Sequence, residues 1–138
     1  MKTAVLALAL AASNQGEAFD LVCAGEMSSE AITGNTSKPY SVRYRVDLAA
    51  SKYCEDQCAT VNPIFKVDPG VLVFESIDKD APSERVRKIN NVSRNTGEHL
   101  MLYTSRSTGS AASVLIMRWR GTCERADFTG FPTAGAKF

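Results

Sequence analysis

The sequence predicts an all-β protein: an antiparallel meander of about seven or eight short strands, closed or strongly curled into a barrel and stapled by disulfides. Three observations support this. Apolar and polar residues alternate strictly from residue 40 to residue 48, turn signals such as Asp68-Pro69-Gly70 separate short apolar runs, and no segment has a convincing helical period. A β-sandwich is the alternative arrangement of the same strands.

The strands follow one another with short polar connections. Residues 78–83 are assigned to such a connection, because they are polar and contain a proline. In residues 85–93 the apolar side chains lie three apart, which also fits a helical face, but a strand with a bulge is preferred because Val, Ile and Asn are poor helix formers. Strands are predicted over residues 19–25, 40–48, 53–55, 64–67, 71–77, 85–93, 99–104 and 113–123.

The N-terminus predicts a secretory signal peptide. Lys2 gives a positive start, an apolar stretch rich in Ala and Leu follows, and Gly16 and Ala18 place small residues at a cleavage site. We assign residues 1–18 to the signal peptide and residues 19–138 to one β domain, and we expect a periplasmic or secreted protein. The apolar stretch is shorter than the ~20 residues that a membrane-spanning helix needs.

Four cysteines follow the predicted cleavage site: Cys23, Cys54, Cys58 and Cys123. An even number after a signal peptide predicts two disulfides in an oxidising compartment, with a zinc site as the competing interpretation of the Cys54–Cys58 spacing. Four cysteines allow three pairings. We favour Cys54–Cys58, because a single chain reversal brings their Cα atoms close enough, and this pairing leaves Cys23 with Cys123.

Cys23 and Cys123 share a sequence pattern that points to their positions in the barrel. Each lies on the apolar face of its predicted strand, two residues from a glycine, Gly25 or Gly121. The pattern predicts that the first and last strands lie side by side, which closes the meander and protects its edges. Trp119 lies on the same face, and we predict that it belongs to the core.

Several short motifs carry a family resemblance. They are Phe19-Asp20-Leu21-Val22-Cys23 with Gly25, Tyr44-Arg45-Val46-Asp47-Leu48, the Cys54/Cys58 pair, Arg94-Asn95-Thr96-Gly97, Gly121-Thr122-Cys123 and the ending from Phe128-Thr129-Gly130-Phe131-Pro132 to Lys137-Phe138. On these motifs the chain resembles a group of small exported proteobacterial proteins of unknown function. The resemblance covers most of the chain after residue 18, and it implies no activity, ligand or catalytic residue.

Candidate catalytic groups are few, and we assign no catalytic residue. His99 is the only histidine and follows a hairpin glycine, which predicts a histidine at the surface or rim. Two carboxylate pairs, Glu55 with Asp56 and Asp78 with Asp80, are close in sequence, but solvated loop charges explain them better than a catalytic pair facing across a cleft. A small envelope hydrolase that uses carboxylates is therefore kept as an alternative function.

The charge balance limits the classes of partner. Sixteen basic and fifteen acidic residues give a net charge of +1, which predicts no nucleic-acid partner and no stable membrane insertion. We also expect no cofactor, no metal ion and a monomer. One group of basic residues fits either an anion-binding surface or, as we prefer, the solvent face of two strands: Arg85, Arg87, Lys88, Arg94, Arg118 and Arg120.

The function expected from these observations is a non-enzymatic exported binding module for a small apolar ligand or for a protein partner of the envelope. A structural envelope protein without a discrete site is a further alternative. A barrel of about eight strands is either filled by side chains or holds one ligand. Six aromatic residues fill or line such an interior, with core packing as the preferred explanation: Tyr40, Tyr44, Phe65, Phe74, Tyr103 and Trp119.

Overall fold

A computed structural model describes residues 17–108 and 113–132, and these residues contain nine strands and no helix. All nine strands form one antiparallel sheet that curls strongly into a half-barrel, in the order β4-β3-β2-β1-β9-β8-β7-β6-β5. The prediction of an all-β, strongly curled meander is confirmed. The strands are β1 (Ala18–Ala31), β2 (Gly34–Asp47), β3 (Lys52–Glu55), β4 (Asn62–Pro63), β5 (Lys66–Val67), β6 (Val71–Ala81), β7 (Glu84–Ser93), β8 (Glu98–Ser107) and β9 (Val114–Ala126).

The first and last strands lie side by side, as predicted, but in the middle of the sheet, so their pairing does not close the meander at its edges, which are β4 and β5. Cys23 pairs with Cys123 across β1 and β9, and the two residues form a disulfide. Gly25 faces Gly121 in the same ladder, where a Cβ on either residue would overlap the backbone of the other strand. Only glycine permits this close approach, which explains why each cysteine has a glycine two residues away.

The ends of the sheet meet through a short link. Strands β4 and β5 are the two edges of the sheet, yet only Ile64 and Phe65 separate them in the chain. The Ile64 N–H donates to the Ser51 carbonyl at 2.9 Å, and the Phe65 N–H donates to the Phe74 carbonyl at 3.3 Å. Each hydrogen bond extends the neighbouring ladder by one residue, β3–β4 on one side and β5–β6 on the other, so the two edges are connected by the chain itself through this short link.

The core fills only one end of the curled sheet. Its buried residues are Phe19, Leu21, Cys23, Tyr44, Val46, Tyr53, Ile64, Leu72, Phe74 and Val92. In contrast, no residue is fully buried in residues 28–43, 75–89, 100–108 or 113–118. Trp119 adjoins this extended half and is only partly buried, outside the core cluster, so its assignment to the core was wrong. The sheet has not curled far enough there to cover its inner face.

Two local predictions on β6 and β7 were also wrong. Strand β6 continues to Ala81, so the connection predicted over residues 78–83 reduces to Pro82 and Ser83. The bulge predicted in residues 85–93 lies instead on the partner strand, where the register shifts between Val73 and Glu75. Charged residues are compatible with these strands because the long hairpin exposes them to solvent on an edge of the sheet.

The C-terminal segment is fastened to the outside of the sheet by a buried carboxylate. Asp20 accepts hydrogen bonds from Arg43 Nε at 2.7 Å and from the Thr129 hydroxyl at 2.7 Å, and Arg45 donates to the Gly130 carbonyl at 2.9 Å. Burial raises the pKa of Asp20, but the hydrogen bonds from Thr129 and Arg43 outweigh burial and hold it below the usual value. These contacts hold the C-terminal segment against the sheet, and their role is structural.

The predicted signal peptide lies, up to residue 16, outside the described residues. Strand β1 begins at Ala18, so cleavage before Phe19 would leave nearly the whole strand intact. No helix in the described residues is long and apolar enough to span a membrane. The disulfides Cys23–Cys123 and Cys54–Cys58 are both present, as predicted, and they are compatible with an oxidising, exported location.

Candidate functional site

A buried polar network occupies the centre of the sheet, beside the core. His99 is fully buried, so the prediction of a surface or rim histidine was wrong. Its position on β8, opposite Val92 on β7 and Gly121 on β9, directs the ring into the curl. Tyr40 Oη lies 2.7 Å from His99 Nδ1, while Tyr44 Oη and Asn90 Oδ1 lie 3.1 and 3.0 Å from Nε2.

These contacts define how the network is hydrogen-bonded. A proton on His99 Nε2 lets the ring donate to the Asn90 carbonyl oxygen, and Nδ1 then accepts from the Tyr40 hydroxyl. The Asn90 amide donates in turn to the Tyr44 hydroxyl at 2.9 Å. The neutral ring thus uses both of its nitrogens in hydrogen bonds to Tyr40 and Asn90. Burial lowers the pKa of His99 to about 4.

We expect this histidine to make stability depend on pH. The unfolded chain binds the His99 proton below its ordinary pKa of 6.5, whereas the folded protein binds it only near pH 4. The free energy of unfolding should therefore fall as the pH drops from about 6.5 to about 4, by roughly 3 kcal/mol, because each pKa unit is worth ~1.4 kcal/mol. Urea unfolding at several pH values measures this loss.

The matched control is His99→Gln, because the chain has no other histidine. Glu55 contributes in the opposite direction, since its pKa is raised in the folded protein and its protonation favours folding. The contribution of Glu55 is the same in the unmodified protein and in His99→Gln. An unchanged pH slope in His99→Gln would show that the buried ring is not the cause.

His99 also lies next to the long disulfide. Possible ligand atoms of Cys23, His99 and Cys123 all lie within 4.8 Å of one another. The two sulfurs are bonded to each other, however, and both ring nitrogens make hydrogen bonds. A metal ion binds thiolate sulfur and a free imidazole nitrogen, so this oxidised arrangement is a packed interior and offers no ready metal site.

A pocket of about 360 Å³ opens at the end of the curl that holds the core; we call it the mouth pocket. The turn between β7 and β8 forms one wall, because Gly97 adopts a φ of 74° and its carbonyl accepts the Cys123 N–H at 2.7 Å. Core side chains form its base. The lining residues are Phe19, Leu21, Leu72, Val92, Ser93, Arg94, Thr96, Gly97, Cys123 and Arg125.

The charges of the mouth pocket are all positive. Arg94 and Arg125 are its charged residues, and none of the described residues that line it is acidic. The Arg125 guanidinium lies over the Phe19 ring, 4.8 Å from its centroid, and Arg94 donates to the Asp68 carbonyl at 3.0 Å. An apolar base with two arginines suits a molecule that combines an apolar body with an acidic head group.

A second and larger hollow of about 850 Å³ lies between the stapled loop of residues 54–58 and strands β6 and β7; we call it the seam cleft. The bulge on β6 brings Phe74 and Glu75 to it, and Glu75 pairs with Lys88 at 2.8 Å. The cleft is lined by Tyr53, Glu55, Asp56, Gln57, Ala59, Thr60, Asn62, Pro63, Phe65, Phe74, Glu75, Ser76 and Lys88.

The structure separates the carboxylate pairs singled out in the sequence. Glu55 and Asp56 both line the seam cleft, whereas Asp78 lies on the exposed hairpin within reach of Arg85 and Arg87. These ion pairs agree with the solvent-face explanation for Arg85 and Arg87, whereas Lys88 of the same cluster lines the seam cleft and Arg94 lines the mouth pocket. A third carboxylate, Glu75, also lines the cleft, although it is distant in sequence from Glu55 and Asp56 and the sequence did not predict it there.

The aromatic residues serve both of the roles considered from the sequence. Tyr44 and Phe74 are core residues with rings stacked 4.5 Å apart, and Phe65 is exposed in the seam cleft. Tyr40 and Tyr103 are partly buried, like Trp119. The interior is therefore filled at its centre and hollow at the mouth pocket and the seam cleft.

Comparison with protein-family models, curated proteins and solved structures finds no match. The resemblance to exported proteobacterial proteins accordingly stays a prediction.

Proposed function

We propose that this protein is a non-enzymatic exported binding module whose mouth pocket holds a small molecule with an apolar body and an acidic head group. The observation that carries the proposal is the combination of core side chains at the base of the pocket with two arginines among its lining residues. Its volume of about 360 Å³ lies within the range of ~300–1,000 Å³ that is usual for small-molecule sites.

The arrangement favours binding over catalysis. A hydrolase needs a nucleophile activated by a general base, or a pair of carboxylates, near the bound substrate. The hydroxyls of Ser93 and Thr96 line the pocket, but they accept hydrogen bonds from backbone N–H groups, and none of the described lining residues is a histidine, a lysine or a carboxylate that could activate them. The arginines supply fixed positive charge and hydrogen-bond donors, which orient an anionic head group without reacting with it. The apolar base contributes affinity by removing the body of the ligand from water.

Calorimetric titration with octanoate tests the proposal, with 1-octanol as the uncharged equivalent. Octanoate should bind more tightly, and Arg125→Gln should weaken octanoate by roughly tenfold or more, because a charge-assisted hydrogen bond contributes ~1.5–3 kcal/mol. Arg118→Gln is the control, since Arg118 pairs with Glu30 and does not line the pocket.

Equal affinity for octanoate and octanol, or an unchanged affinity in Arg125→Gln, would contradict the acidic head group. Mass spectrometry of protein purified from its own envelope then identifies the natural ligand. We expect a small amphipathic acid to co-purify with the unmodified protein and to be depleted from Arg125→Gln.

A further inference from the structure

The seam cleft has a rigid aromatic side. The rings of Tyr53 and Phe74 pack 4.7 Å apart, and Phe74 stacks on the buried Tyr44 at 4.5 Å. Phe65 lies in the link that joins the two edges of the sheet and is 62% exposed. An exposed aromatic ring beside a hollow, on a backbone fixed by hydrogen bonds, is a preformed surface for an apolar or cationic group.

The cleft is also lined by three carboxylates, and only one of them lacks a partner among the described residues. Glu75 forms an ion pair with Lys88 at 2.8 Å, and Asp56 accepts a hydrogen bond from the Arg43 backbone N–H at 3.0 Å. Within residues 17–108 and 113–132, no hydrogen bond or ion pair engages the Glu55 carboxylate. Glu55 is therefore the carboxylate that a ligand in the cleft can reach.

The backbone that carries Glu55 is held in place. Glu55 follows Cys54, and the disulfide to Cys58 closes a loop in which Asp56 and Cys58 have left-handed φ angles of 49° and 57°. Glu55 also lies on the same face of β3 as Tyr53 and pairs with Tyr44 on β2. The short disulfide thus positions one carboxylate beside aromatic rings.

The surroundings of Glu55 disfavour its charge in the absence of a cation. Glu55 is an exposed residue of the cleft lining. Partial desolvation of its carboxylate raises its pKa, the charge of Lys88 opposes this, and the charges of Asp56 and Glu75 add to it. A bound cation would relieve this cost. Calcium takes six to eight oxygen ligands, and a single available carboxylate does not supply that number. An organic cation therefore fits the cleft better than a metal ion.

We propose that the seam cleft is a second binding site, specific for a small organic cation whose ammonium or guanidinium group pairs with Glu55 and whose body packs against Phe65 and Tyr53. The site differs in charge from the mouth pocket: its charged lining residues are three acidic side chains and one lysine, against two arginines there. The proposal is therefore independent of the ligand assigned to the mouth pocket.

NMR titration of the full mature protein with phenethylammonium tests this site, with 2-phenylethanol as the neutral equivalent. Phenethylammonium should shift the amide signals of residues 53–58 and 65, and Glu55→Gln should weaken its binding by roughly tenfold or more, as loss of a charge-assisted contact does. Phe65→Ala should also weaken it. Asp80→Asn removes the same charge from the exposed β6–β7 hairpin and should leave the affinity unchanged.

Each result decides the proposal. Equal affinity for phenethylammonium and 2-phenylethanol would overturn it, because the cleft would then not recognise the charge of the ligand. The same loss of phenethylammonium affinity in Asp80→Asn as in Glu55→Gln would also overturn it, because binding would then depend only on the net charge of the protein. An unchanged amide spectrum in residues 53–58 on titration would also overturn it. Octanoate binding in Glu55→Gln should equal that of the unmodified protein, which separates a failure here from a failure of the mouth-pocket proposal.

Discussion

Phe74→Ala is expected to destabilise the protein by about 3–5 kcal/mol, as large-to-small substitutions of buried aromatic residues do. Phe74 is 1% exposed and packs against both Tyr44 and Tyr53. Its removal would leave a cavity between these rings, next to the link whose Phe65 N–H donates to the Phe74 carbonyl. Urea unfolding followed by fluorescence measures the change.

Phe65→Ala is the matched control, because the same atoms are removed from a side chain that is 62% exposed. We expect it to change the free energy of unfolding by less than about 0.5 kcal/mol, as surface substitutions usually do. A similar loss in both variants would mean that Phe65 packs in the core and that the seam cleft is closed in solution.

Replacing Cys23 and Cys123 together by alanine is expected to cost about 4.7 kcal/mol in the chain-entropy description of disulfides. The two residues are 100 positions apart in sequence, so their bond restricts nearly the whole unfolded chain. Replacing Cys54 and Cys58 should cost about 2 kcal/mol in the same description, because only a short loop is released. Chemical denaturation of the three proteins under oxidising conditions gives both values.

A larger loss from the Cys54/Cys58 variant than from the Cys23/Cys123 variant would contradict this order. Alanine is used in place of serine because Cys23 is fully buried, and a buried hydroxyl without a partner would add a cost of its own. Peptide mapping without reduction verifies that each variant retains the other disulfide.

Local signals in the sequence accounted for much of the fold. Alternation from Tyr40 to Leu48 and the turn at Asp68-Pro69-Gly70 depend on neighbouring residues, and these features are found in the structure. The shared cysteine and glycine pattern also indicated the pairing of β1 with β9. Where two strands approach closely at facing glycines, the sequence of each strand contains one of these glycines.

The features that the sequence did not predict depend on the curvature of the sheet. Burial of His99 needs the sheet to wrap around it, and nothing next to residue 99 in sequence reports that wrapping. The seam cleft joins Glu55 to Glu75 through the same curl and through a bulge on β6. Arg125 lies beyond Cys123, the predicted end of the last strand, whereas β9 continues to Ala126 and keeps Arg125 on the inward face.

The central position of the β1–β9 ladder has a consequence for folding kinetics. Strands β1 to β4 and strands β5 to β9 are two meanders in which each strand pairs with its neighbour in sequence, and the ladder between β1 and β9 is the long-range strand pairing that unites them. Long-range strand pairing slows folding, because the entropy of loop closure is lost before the contacts form. The sheet cannot be completed until residues near 126 are available, so strands β1 to β4 remain without their β9 partner until that strand has been synthesised.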